Sequence, residues 1–343
     1  MDNRCVSAIR SWIEAPISSC IKEWLIVPRN YCGLGIPSFQ NRVELLRLGK
    51  RRALRDSKNE NIRELWSDSV KSNINSDSLL NTLPLNQAVK TQKNVQVEAA
   101  INHFSGLESQ GRIAKTVSEC IPGPQINMWS QVLNQLPGHI FNFTRKAVQS
   151  QLPTFANLHR WNRAPSNLCP MCGQIQSNKH VLSNCGSSGA LSRYTNRHNT
   201  ILKLLINWIA PKLQDSLELY HDLSLPESKH ITDIFNNVRP DIAIKSASRI
   251  VVLELTVCHE TNFQSSRNYK LDKYKNIHKH RSEIIKHLPV TVCTCEVSVL
   301  GFVIIDQEFL KACKLPSVDG NLFNTLCKSA INSSFEIYNE RNT

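Results

Sequence analysis

Apolar residues three and four positions apart mark residues 1–60 as helical. The pattern breaks at RNYCGLGIPSF (29–39), where Gly33, Gly35 and Pro37 predict a loop. It resumes in NRVELLRLGKRRALRD (41–56), an amphipathic run carrying the basic cluster Lys50, Arg51 and Arg52. Residues 60–100, rich in Asn, Ser, Asp and Lys, predict a loosely ordered connector. Residues 125–160 return to helical spacing, interrupted at Pro137, Gly138 and Pro153. The run YTNRHNTILKLLINWI (194–209) repeats the pattern through Ile201, Leu204, Leu205 and Trp208, and Pro211 stops it. From residue 238 the period changes: strand, turn, strand, a long basic helix, then the β-branched VTVCTCEVSVLGFVII (290–305) with Gly301 as a turn. This order predicts an α/β arrangement around a mixed sheet. No internal repeat or low-complexity tract is visible.

One residue disturbs the strand pattern. IVVLELTV (250–257) leaves no polar face, yet Glu254 sits in its middle. A lone buried carboxylate costs several kcal/mol unless it is paired or holds a metal. If 239–245 and 250–257 form a hairpin around Ser246–Arg249, Asp241 and Glu254 are equally far from its centre and face each other. Two opposed carboxylates repel unless a cation lies between them. A divalent hard ion such as magnesium suits such a pair, and a buried salt bridge from Glu254 to a lysine is the alternative. The next helix offers NYKLDKYKNIHKHR, in which Lys270, Lys273 and Tyr274 share one face. A metal-polarised phosphate beside a lysine is the chemistry of nucleases; the bland reading of those lysines is a solvated helix face.

Composition strengthens the polyanion reading. There are 41 Lys and Arg against 28 Asp and Glu, a formal net charge of +13, which favours nucleic acid as a partner. The 41% hydrophobic content is that of a chain able to build a core. No apolar run reaches the length of a membrane span, so no membrane partner is expected, and the amino terminus lacks the apolar stretch of a secretory signal.

Of 12 cysteines, Cys169, Cys172 and Cys185 crowd together with His180 in CPMCGQIQSNKHVLSNC. The spacing C-x2-C-x7-H-x4-C predicts a tetrahedral zinc site, with Gly173 allowing the tight turn after the second cysteine. Four protein ligands leave no open position, so the zinc is expected to be structural. The other nine cysteines are scattered singly and read as ordinary buried thiols in a reducing compartment.

Pro-Asp, twelve residues, a strand Glu, then a lysine-bearing helix resembles the PD-(D/E)xK restriction-like nucleases. More narrowly, the cysteine-histidine spacing, then RHN (197–199), RPD…ELT (239–256) and YKLDKYKNI (269–277) resemble the carboxy-terminal part of the Pol protein of site-specific non-LTR retrotransposons that insert into ribosomal RNA genes. IKEWLIVPRNYCGLGIPSF (21–39) is similar to that family's thumb, and FNFTRKAVQSQLPTFANLHRW (141–161) to its linker. The resemblance implies a multidomain α+β/α-β chain: thumb-like helices in 1–60, a helical linker in 61–160, a CCHC zinc knuckle in 161–187, and a PD-(D/E)xK restriction-like nuclease core with a mixed sheet in 188–343. It implies Asp241 and Glu254 as magnesium ligands, Lys270 as the catalytic lysine with Lys273 beside it, and contact with nucleic acid through Arg197, His198, Asn199 and Tyr274. Two positions depart from the wider nuclease pattern: Thr256 stands where E-x-K has its lysine, and the second acid is Glu where many relatives carry Asp.

The implied function is a magnesium-dependent DNA endonuclease, nuclear, acting on target DNA with the element's RNA as a further partner. Its nick would prime reverse transcription. No Y/F-x-D-D motif occurs, the fingers and palm are expected before residue 1, and no reverse transcription is expected from this chain. The competing readings are an inactive zinc-containing nucleic-acid-binding remnant and a structural fragment of thumb and linker.

Overall fold

The computed structural model describes residues 2–12, 21–36, 38–64, 83–224 and 229–342. They belong to two compact units, Met1–Gly111 and Arg112–Thr343. The boundaries expected at 60/61, 160/161 and 187/188 divide the chain more finely than this.

The first unit holds helices α1 (Asp2–Trp12), α2 (Ile21–Ile26), α3 (Phe39–Arg55) and α4 (Leu85–Gly106). The expected loop follows α2 and folds back on it: Ile36 N–H donates to Leu25 C=O at 2.7 Å, and Trp24 Nε1 donates to Cys32 C=O at 2.9 Å. Gly33 permits this fold-back, since a Cβ there would lie 2.0 Å from the Val27 carbonyl oxygen. The connector reading of 60–100 is corrected over 85–100, which lies in the long helix α4; residues 65–82 fall outside the described residues. Its polar composition hides a sparse inner stripe, Ala88, Ala100 and Phe104, all buried.

The second unit begins with α5 (Arg112–Cys120), α6 (Gly123–Leu133), α7 (Gly138–Val148) and α8 (Phe155–Arg160). Pro122 and Pro137 sit at the amino ends of α6 and α7, where a missing N–H breaks no helical bond. The cysteine-histidine loop follows, then α9 (Ser188–Ile209), whose first turn is capped by Ser187. Strands β1 (Glu218–His221), β2 (Lys229–His230), β3 (Ile242–Lys245) and β4 (Ile250–Cys258) lead to α10 (Phe263–Lys273), β5 (Val290–Ser298), β6 (Val303–Ile305), α11 (Gln307–Ala312) and α12 (Gly320–Asn339). The expected long basic helix is shorter than its charge pattern implies: α10 ends at Lys273, and single 3-10 turns carry the chain on through Ile277–His280 and Glu283–Ile285.

The six strands form one mixed sheet in the order β2-β1-β3-β4-β5-β6. β3 and β4 are the expected hairpin, antiparallel with Ile242 opposite Leu253 and Lys245 opposite Ile250. β4 and β5 run parallel, with Glu254 beside Thr294 and Thr256 beside Glu296. A central strand in such a sheet is covered on both faces, which accounts for apolar residues on both faces of β4 around Glu254. On the face bearing Ile250 and Val252, the core contains Tyr220, Phe235, Tyr274, Ile277 and Leu288. The β5–β6 turn uses Gly301 at φ +87°, with a Cβ position only 2.8 Å from the Cys327 carbonyl oxygen. Trp129 of α6 holds this turn, donating from Nε1 to Leu300 C=O at 2.6 Å and stacking on Phe302 at 4.4 Å.

Candidate functional site

The hairpin register places Asp241 one residue before β3, opposite Glu254. The two acids are tied through the backbone. Asp241 N–H donates to Glu254 Oε1 at 3.0 Å, and Leu255 N–H donates to Asp241 Oδ2 at 2.8 Å. Lys270, on α10 above the sheet, reaches both: its Nζ is 2.7 Å from Glu254 Oε2 and 3.6 Å from Asp241 Oδ2. His198 of α9 approaches from the other side, with Nε2 3.4 Å from Asp241 Oδ1 and Nδ1 3.2 Å from Asn199 Oδ1.

Glu254 is 0% exposed. Burial and the adjacent Asp241 charge push its carboxyl up to about 7, against the pull of Lys270. Asp241 goes the other way: burial raises it, but His198, Lys270 and the Leu255 N–H together hold it below the ordinary range. The two acids raise Lys270 despite its burial, and Asp241 likewise raises His198 despite its burial. Burial together with a specific charge partner pushes the two carboxylates apart, a pattern shared by functional sites and structural ion-pair networks.

Other residues singled out from the sequence lie elsewhere. Lys273 is exposed, with its ammonium 4.7 Å from the centre of the Tyr274 ring, and no contact joins it to either acid. Tyr274 is 1% exposed in the core, and its hydroxyl donates to Arg239 C=O at 3.0 Å. It therefore pins the segment entering β3 and presents no surface for a nucleic acid. Arg197 is 2% exposed, donating to Leu182 C=O and to Ser334 Oγ, each at 2.9 Å. Burial lowers its guanidinium to about 10. Of the RHN triplet only Asn199 is exposed, while His198 is half-buried against Asp241. The reason is helical: consecutive residues point about 100° apart, so the three cannot share one surface.

Sequence reasoning missed two buried acids. Glu296 sits on β5 beside Thr256 and is raised by burial; Glu260, just past β4, is raised by burial to about 7. For Glu296 the signal was the same as for Glu254, an acid inside an apolar strand.

Cys169, Cys172, His180 and Cys185 bring one donor atom each within 4.8 Å of one another. Sγ–Sγ separations of 4.0 Å (Cys169–Cys185) and 3.7 Å (Cys172–Cys185) are close to the edge of about 3.8 Å that a tetrahedral zinc–thiolate site requires. His180 Nε2 lies 3.3 Å from Cys172 Sγ. Gly173, at φ +73°, makes the tight turn after Cys172, and the wide single turn His180–Asn184 carries the histidine toward Cys185. The cluster can hold a metal ion, and its donor set suits a structural zinc.

Among the described residues, no second group of three or more His, Cys, Asp or Glu donors converges. The acid pair matches magnesium in donor chemistry, because that ion uses one or two carboxylates and keeps several waters. The ammonium of Lys270 now occupies the space between them, as the salt-bridge alternative anticipates. The exposed Cys120 and the half-buried Cys5 depart from the buried-thiol reading, whereas Cys32, Cys258, Cys293, Cys295, Cys313 and Cys327 follow it; Cys20 lies outside the described residues. No helix among the described residues is long and apolar enough to cross a membrane.

No protein-family model matches the chain, and no curated protein matches it.

Proposed function

We propose that the second unit is a magnesium-dependent DNA endonuclease. We also propose that the chain is the carboxy-terminal part of a non-LTR retrotransposon Pol protein that works in the nucleus on target DNA and the element's RNA. One observation carries the nuclease reading: Asp241, Glu254 and Lys270 meet within ion-pairing distance at the entry of a β-hairpin. The net charge of +13 supports a polyanionic substrate.

In this reading Asp241 and Glu254 would hold the ion, which would supply polarisation of the phosphate and a lowered pKa for a water. Lys270 turns from the acids toward the phosphate and offsets the negative charge that develops there. Tyr274 fixes the Arg239–Pro240 approach, so that Asp241 enters the site at a set depth. The test is nicking of supercoiled plasmid by the purified chain in magnesium. Asp241→Ala is expected to abolish nicking while DNA affinity is unchanged, and continued cleavage by that variant refutes the assignment.

A second reading has its own observation. With Lys270 bridging the two acids, the pair already has a cation of the protein's own. The chain would then be a zinc-containing nucleic-acid-binding module without cleavage, showing salt-sensitive DNA binding and no nicking at any magnesium concentration.

A further inference from the structure

Helix α9 touches both the metal cluster and the acid pair. Tyr194, Arg197 and His198 stand at i, i+3 and i+4, one face of one turn. The Tyr194 hydroxyl accepts the Cys185 N–H at 3.2 Å and lies 2.8 Å from the Val181 carbonyl oxygen. Arg197 donates to the Leu182 carbonyl from the same side. These bonds grip the turn that carries His180 and Cys185, half of the metal ligands. The next residue, His198, meets Asp241. Downstream, Ile201, Leu202, Leu205 and Ile206 are buried, so α9 has no freedom to roll independently of the sheet.

We propose that α9 is a strut: anchored on the Cys/His turn by Tyr194 and Arg197, it holds His198 against Asp241 as a positioning residue for the acid pair. This gives the metal cluster a task beyond local folding, because it fixes the turn of α9 that carries His198 to Asp241. It also reassigns His198 from a nucleic-acid contact to a support of the acid. The consequence for cleavage rests on the nuclease reading above; the mechanical link does not.

The test uses the full, zinc-loaded chain. In plasmid nicking at saturating magnesium, His198→Ala is expected to lower kcat about 10- to 100-fold, the usual effect of removing a partner that orients a ligand. KM for DNA stays unchanged. His198→Gln, whose amide N–H can reach the same carboxylate, recovers most of the loss. Tyr194→Phe lowers kcat with zinc content unchanged, and adds nothing in the His198→Ala background. A raised KM with kcat intact in His198→Ala overturns the proposal in favour of direct DNA contact, and no change in either constant overturns it outright.

If the native chain does not nick DNA, the nuclease reading fails and the strut is judged by NMR. The His198 ring resonances are expected to move in Asp241→Asn, in Tyr194→Phe and on chelation of zinc. A ring that ignores Tyr194→Phe and chelation overturns the strut.

Discussion

Replacing Lys270 by methionine keeps most of the aliphatic stem and removes the charge that bridges Asp241 and Glu254. The three side chains are 17%, 10% and 0% exposed, so water can do little to screen what remains. Removing one partner of a buried pair costs about 3–5 kcal/mol, because the other charge stays buried and uncompensated. Without the pull of Lys270, Glu254 is pushed above the value of about 7 it has in the native protein, so the cost is smaller at neutral pH and below, where a proton replaces the lost ammonium, and grows toward alkaline pH as the carboxyl ionises. A second substitution, Glu254→Gln, removes the orphaned charge, so the double variant should recover most of the loss. Magnesium then separates the two functional readings. If the freed acids bind it, the Lys270→Met protein gains about 2.7 kcal/mol at a hundredfold excess over Kd, and the native protein gains less. Urea unfolding followed by tryptophan fluorescence reads all of these, since Trp129 and Trp208 are buried in the second unit. A Lys270→Met protein as stable as the native one at alkaline pH would refute the account of the pair. So would a double variant no better than the single.

Acid and metal provide the remaining tests. Burial raises Glu254 and Glu260 from 4.5 to about 7, so between those values the folded chain holds more protons than the unfolded one, and stability from these groups falls as pH rises. Asp241, held low, acts oppositely: its contribution is present above the ordinary value of 3.8 and lost as pH falls through its folded value. Glu260→Gln keeps an oxygen for the Leu300 N–H and should flatten the fall in unfolding free energy across that window; an unchanged slope would sink the assignment. Zinc removal by a strong chelator, or Cys185→Ser, should lower the melting temperature and open residues 161–187 to protease, because binding energy at a four-ligand site is folding energy. A purified chain that binds no metal through these four residues contradicts the site.

Much of the second unit was legible from local pattern. The C-x-x-C knuckle, the later His and Cys, the β3–β4 hairpin and the Asp241–Glu254 register follow from spacing, because turn chemistry and two-residue alternation fix which atoms meet. β1 and β2 were not legible: they are four and two residues long, too short for alternation to stand out. α4 was missed because its polar residues mask three buried positions, and α10 was read too long because charge persists beyond the point where the helix ends.

The sequence by itself determined which residues can carry chemistry: a metal cluster whose spacing closes on itself, and two acids facing across a hairpin. Only the tertiary structure decided which cations serve those acids. Lys270 and Lys273 are equivalent as letters on one helix, yet the packing of α10 on β4 and β5 turns the first inward and leaves the second in solvent. His198 reaches Asp241 across 43 positions of sequence, a contact that spacing cannot encode, because it is set by how α9 lies against the sheet.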